Sequence, residues 1–182
     1  SRIEQTFVLY QQENQNRFQQ ILQDTDPELI AIIEECLKKF QQHCQGPINE
    51  NIHNTLTDHM AFALERHKRG IDFHNPFNES LKYVYPEDYQ FAQEIIDKVN
   101  RFYHTNLIED EIGIVAIHLR AAKQNESLEL SRKRARLIEE TVSALYRLIG
   151  AQPDKHSLTY QRLLIHCRLA YDRIFKQEPM DD

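Results

Sequence analysis

The sequence predicts an all-α fold, and two observations carry that prediction. Apolar residues recur at three- and four-residue spacing through most of the 182 residues, the period of helices with one buried face. Glycine occurs four times and proline six, and β-branched runs are few, which leaves little material for turns or strands. Hydrophobic content of 41% with 27% charged residues fits a water-soluble domain of ordinary size.

The elements follow in order. Residues 1 to about 25 are rich in glutamine and asparagine, with Phe7, Leu9, Phe18, Ile21 and Leu22 as apolar points. An extended lead followed by a weak helix or loop is expected there. The first strong helix opens at D-P-E, with Asp26 as cap, Pro27 at the first helical position and Glu28 against the macrodipole. Leu29, Ile33, Leu37, Phe40 and Cys44 keep its period, and Gly46-Pro47 stops it. A second helix is expected from near Asn49 to Gly70, with Ile52, Leu56, Met60 and Ala63/Leu64 as its stripe. Asn75-Pro76 breaks the chain, and a short helix follows over Glu79–Tyr85. Pro86 opens another, which ends at His104-Thr105-Asn106. Glu109, Asp110 and Glu111 precede a helix expected over Ile112 to about Lys123. N-E-S-L-E, residues 125–129, reads as a linker or a continuing helix. Two further helices are expected, Leu130–Ile149 before Gly150 and Ser157–Phe175, with a polar tail.

The bulk properties exclude several functions. Net charge is −6, which gives no hint of a nucleic-acid-binding surface. The one dense basic run, R-K-R-A-R from Arg132 to Arg136, reads as the solvated face of a helix. Three cysteines, Cys36, Cys44 and Cys167, are an odd number without C-x-x-C, so reduced thiols and a cytoplasmic location are expected. No apolar run approaches the ~18 residues that span a bilayer, so membrane insertion is not expected. Nine histidines invite a metal reading, but no H-E-x-x-H or compact ligand cluster occurs, and no metal or cofactor is expected. His43-Cys44 and His166-Cys167 fail as nucleophile pairs, since helical neighbours point about 100° apart. Glycine-rich phosphate loops are absent. No catalytic residue is expected, and the chain does not read as an enzyme.

Three histidines stand beside apolar stripes. His59 follows Asp58 in T-D-H-M-A-F-A-L-E-R, His118 lies in D-E-I-G-I-V-A-I-H-L-R-A-A, and His166 lies in L-L-I-H-C-R-L. On residue chemistry alone each reads first as a packed core or interface histidine. An imidazole at the edge of a packed face is also a natural switch. A phosphoryl group there adds roughly −1.5 to −2 charge and cannot stay in an apolar contact without cationic partners.

The runs L-T-D-H-M-A-F-A-L-E-R, N-P-F, Y-P-E-D-Y-Q-F-A and E-D-E-I-G-I-V-A-I-H-L-R-A-A together resemble the PTS regulation domain (PRD). The chain is most similar to the PRD region of BglG/LicT-type bacterial transcriptional antiterminators. D-H followed at this separation by D-E-x-G-x-x-A-x-H is the specific combination. The resemblance implies a PRD-type bundle of about five helices over residues 25–126, followed by an incomplete second PRD over 127–182. Residues 1–24 would be the lead from an RNA-binding domain absent from this chain, through which alone RNA would be bound.

It further implies a homodimer and phosphorylation on histidine. His59 and His118 match the first domain's acceptors, addressed by a sugar-specific PTS permease. His166 matches the second domain's first acceptor, addressed by HPr. Asp58 is expected to orient His59 and favour one ring nitrogen as nucleophile. Two other readings stand beside this one: a structural dimerisation module with inert histidines, and the regulatory part of a PRD-containing DNA-binding activator.

Overall fold

The side chain of Asp26 accepts a hydrogen bond from the Glu28 backbone N–H at 3.0 Å, and Pro27 opens α1 (Pro27–His43). The same carboxylate accepts from the Tyr103 hydroxyl at 2.7 Å, which ties the start of α1 to the end of α4. The structure is a computed structural model that describes residue 16 and residues 24–71, 74, 75 and 77–176. The lead expected over residues 1–24 lies, apart from Asn16 and Asp24, outside the described residues.

Six more helices follow: α2 (Ile52–Lys68), α3 (Asn78–Val84), α4 (Pro86–Tyr103), α5 (Glu109–Gln124), α6 (Leu128–Leu148) and α7 (Leu158–Lys176). No strand occurs among the described residues. The all-α expectation holds, and none of these helices is long and apolar enough to cross a membrane.

Two boundaries differ from the sequence reading for physical reasons. α5 begins at Glu109 rather than Ile112, because Glu109, Asp110 and Glu111 sit in its first turn, where negative charge complements the helix dipole. N-E-S-L-E proves to be a short break between two helices. Asn125 takes the left-handed conformation (φ 51°), and its N–H closes α5 on the Ala121 and Ala122 carbonyls. The Ser127 hydroxyl then caps α6 by accepting from Leu130 N–H at 3.2 Å.

Helices α1, α2, α4 and α5 pack in pairs around Ile33, Leu56, Met60, Ile95, Ile96 and Leu119, all at most 1% exposed. Truncating any of these to alanine removes the burial and leaves a cavity. The seven-residue α3 lies against α4 and α5 on one side and against α6 and α7 on the other. The C-terminal pair is therefore docked on the first five helices. Ser80 of α3 and Tyr160 of α7 both donate to the buried Glu139 of α6, the tyrosine at 2.9 Å. On a second seam Arg120 of α5 reaches Asp172 of α7 at 3.7 Å and Asp88 of α4 at 3.8 Å.

Gly113 explains one position of the D-E-I-G run. A Cβ there would fall well inside van der Waals contact of Asn78 Oδ1 and 2.8 Å from Asn75 Nδ2. The glycine thus lets α5 approach the start of α3. Asn78 cannot yield freely, because it is buried and its amide donates to the Tyr89 hydroxyl at 3.2 Å. Overpacking of this kind costs about 1–3 kcal/mol, against about 1 kcal/mol of helix propensity gained from alanine. Gly113→Ala is therefore expected to destabilise by about 1 kcal/mol net, read as a lower urea midpoint at unchanged slope.

Candidate functional site

The site is built by two antiparallel helices carrying charged and imidazole side chains seven residues apart. On α2 these are His59 and Arg66; on α5 they are Glu111 and His118. Seven residues are two helical turns, so each pair lies on one face. The Glu111 carboxylate accepts from His59 Nε2 at 3.0 Å and from the Arg66 guanidinium. His118 lies against His59 with ring centroids 5.3 Å apart and the planes tilted by 32°. Its Nδ1 lies 3.4 Å from the hydroxyl of Thr55, which stands one turn before His59 on α2.

Burial grades the two rings. His118 is 4% exposed, whereas the His59 side chain keeps 12%. Burial, helped by the neighbouring His59 and Arg132, pushes the His118 pKa down to about 3, so this ring is neutral at physiological pH. Burial also pushes the Glu111 carboxyl up, but the His59 and Arg66 contacts outweigh it and hold the group below its ordinary range. Glu111 is thus ionised at neutral pH. A carboxylate can only accept, so His59 carries its proton on Nε2 when neutral. The lone pair is then on Nδ1, the nucleophilic nitrogen.

His59 and Arg66 also line a groove of about 620 Å³ between the first bundle and α6. Its apolar wall is Phe62, Phe77, Leu81, Ile114 and Ile117. The facing wall carries Arg132, Lys133 and Arg136. The R-K-R-A-R run is therefore not simply a solvated face. Three of its cations border the groove, while Arg134 turns to Glu126 at 2.8 Å and lies 4.4 Å over the Phe175 ring.

The structure brings His59 and His118 together and leaves His166 apart, exposed on α7. Asp58 is partly buried on α2, and the carboxylate seen on the His59 ring is that of Glu111. Sequence reasoning missed Glu111 and Arg66 as members of the site. The available signal was spacing: Glu111 stands seven residues before His118, and Arg66 seven after His59. Among the described residues no group of three His, Cys, Asp or Glu side chains could hold a metal ion.

The molecule is a helical bundle with paired histidines on facing helices, and comparison with known proteins gives it a family. The PRD domain matches residues 34–122. The PtsGHI operon antiterminator of Bacillus subtilis (strain 168) is 36% identical over 119 residues, 65% of this chain and 42% of the relative. Transcription antiterminator LicT of the same organism is 26% identical over 181 residues, 100% of this chain and 65% of the relative. The crystal structure of GlcT CAT-PRDI matches at 37% identity with a TM-score of 0.58, covering 62% of this chain and 67% of that one. The chain belongs to the PRD family, and the two curated relatives are named as antiterminators. It spans 42% and 65% of the length of the two curated relatives.

Proposed function

We propose that this chain is the sugar-responsive regulatory part of a transcriptional antiterminator, switched by histidine phosphorylation from the sugar phosphotransferase system. The observation that supports this best is the His59–Glu111–Arg66 arrangement at the mouth of a groove. It combines a nucleophilic ring nitrogen, a carboxylate that holds the opposite N–H, and partial access. In the transfer the Nδ1 lone pair attacks phosphorus and the bond from phosphorus to the donor side chain breaks. The donor side chain leaves with that bonding pair, and the Nε2 proton stays on the ring against Glu111.

In this reading a sugar-specific permease addresses His59 and His118, and HPr addresses His166. The first five helices form one PRD, and α6 and α7 begin a second. The chain works as a homodimer and as a phosphoryl acceptor rather than a catalyst. Two phosphohistidine dianions about 6 Å apart across a two-fold axis repel by roughly 3 kcal/mol even at the dielectric of water. That is on the order of a hundredfold in a dimerisation constant.

The test is phosphotransfer in vitro with phosphoenolpyruvate, enzyme I and HPr, with and without a permease domain. The acid-labile mass gain is then assigned by site. Label on His59 that vanishes in His59→Ala is the expected result. His59→Asp is expected to weaken self-association in sedimentation, and His59→Ala is not. A folded sample that takes no label beside a labelled control would leave an inert dimerisation module.

A further inference from the structure

We infer that Arg132, Lys133 and Arg136 of α6, with Arg66 of α2, form a phosphoryl-binding cradle that captures the phosphoryl group carried by His59 and latches α6 onto the first bundle. This inference rests on the reading of His59 as a phosphoacceptor and adds what holds the group afterwards.

Charge is the first argument. The chain as a whole is acidic at −6, yet the groove beside His59 collects four cations against one lining carboxylate, Glu129. The second is availability. Among the described residues Arg132 and Lys133 have no hydrogen bond or ion pair, and Arg136 meets only the exposed Glu140 at 3.5 Å. Arg66 is held against Glu111, which fixes its guanidinium at the edge of the same groove.

The third argument is need. A phosphoryl dianion on His59 would otherwise face the apolar wall of Phe62, Phe77 and Ile117. Such a group stays at a partly buried position only where cations and hydrogen-bond donors meet it. The groove, at about 620 Å³, has room for it without displacing that wall. Geometry gives the latch its direction. Three of the four cations belong to α6, the first helix after the break at Asn125, so a phosphoryl group on α2 pulls on the segment that follows the bundle.

The test uses the full chain and potassium phosphoramidate, which needs no protein donor. The His59 lone pair attacks phosphorus, the P–N bond of the zwitterionic reagent breaks, and the amine leaves as ammonia with the bonding pair. Site-resolved mass spectrometry reads the label, and hydrogen exchange reads α6. The expected result is label on His59 with exchange in α6 slowed on the order of tenfold. That is the lower end of what one hydrogen bond to a charged group contributes. Arg132→Ala/Lys133→Ala/Arg136→Ala should take the label and lose the slowing. Arg147→Ala, a surface change on the same helix, should keep it. Label on His59 with α6 exchange unchanged, or slowed equally in the triple variant, would overturn the cradle and leave the acceptor reading intact. Absence of label on His59 in folded protein would overturn both.

Discussion

Glu111→Ala is expected to lower the unfolding free energy by about 2–3 kcal/mol, a large effect for one side chain. Glu111 bridges both His59 and Arg66, and it is 2% exposed. Removing it takes away the carboxylate that the Arg66 guanidinium and the His59 ring share, and with it a tie between α2 and α5. The substitution also frees the His59 tautomer. With no carboxylate to hold Nε2–H, either nitrogen can carry the proton. Phosphorus NMR of labelled protein separates the two ring isomers. The parent is expected to carry label on Nδ1, and Glu111→Ala to carry a mixture at reduced yield. Glu111→Gln keeps the shape and should recover most of the stability but not the single isomer. A urea midpoint for Glu111→Ala equal to the parent's would show that the bridge contributes nothing.

Acidification should destabilise the fold through His118. In the unfolded chain its pKa is about 6.5; in the fold burial holds it at about 3. Between those values the unfolded chain binds a proton that the folded chain refuses, so stability rises with pH. The contribution is complete above about pH 6.5 and is lost progressively as pH falls towards about 3. By pH 5 the loss amounts to about 2 kcal/mol. Glu111, held below its ordinary range, acts in the same direction at lower pH. His118→Gln isolates the term. The drop in unfolding free energy from about pH 7.5 to pH 5 should be about 2 kcal/mol smaller in the variant than in the parent. Equal drops would mean that His118 is protonated in the fold without penalty.

The helices were legible in the sequence because their signals are local. Asp26-Pro27, Gly46-Pro47, Pro86 and His104 each mark a terminus by backbone chemistry that needs no partner. The start of α5 was misplaced because its three acidic residues serve both as a pre-helical segment and as a first turn. Of the site, His59 and His118 could be named, but not their contact at 5.3 Å, since that depends on the register between α2 and α5. Glu111 looked like one of three acids at a helix start. Arg132 looked like surface charge because nothing local reveals which helix its face opposes.

Helix α3 has a consequence for how the molecule holds together. Seven residues are too few for a helix to persist by itself in water. Its hydrogen bonds survive because α4 and α5 cover one flank and α6 and α7 the other. The order of this short helix is therefore borrowed from both halves of the chain. Were the C-terminal pair to lift away, α3 would be the first segment to melt, and Ser80 would lose its hold on Glu139. The shortest helix is thus the keystone through which each half registers the presence of the other.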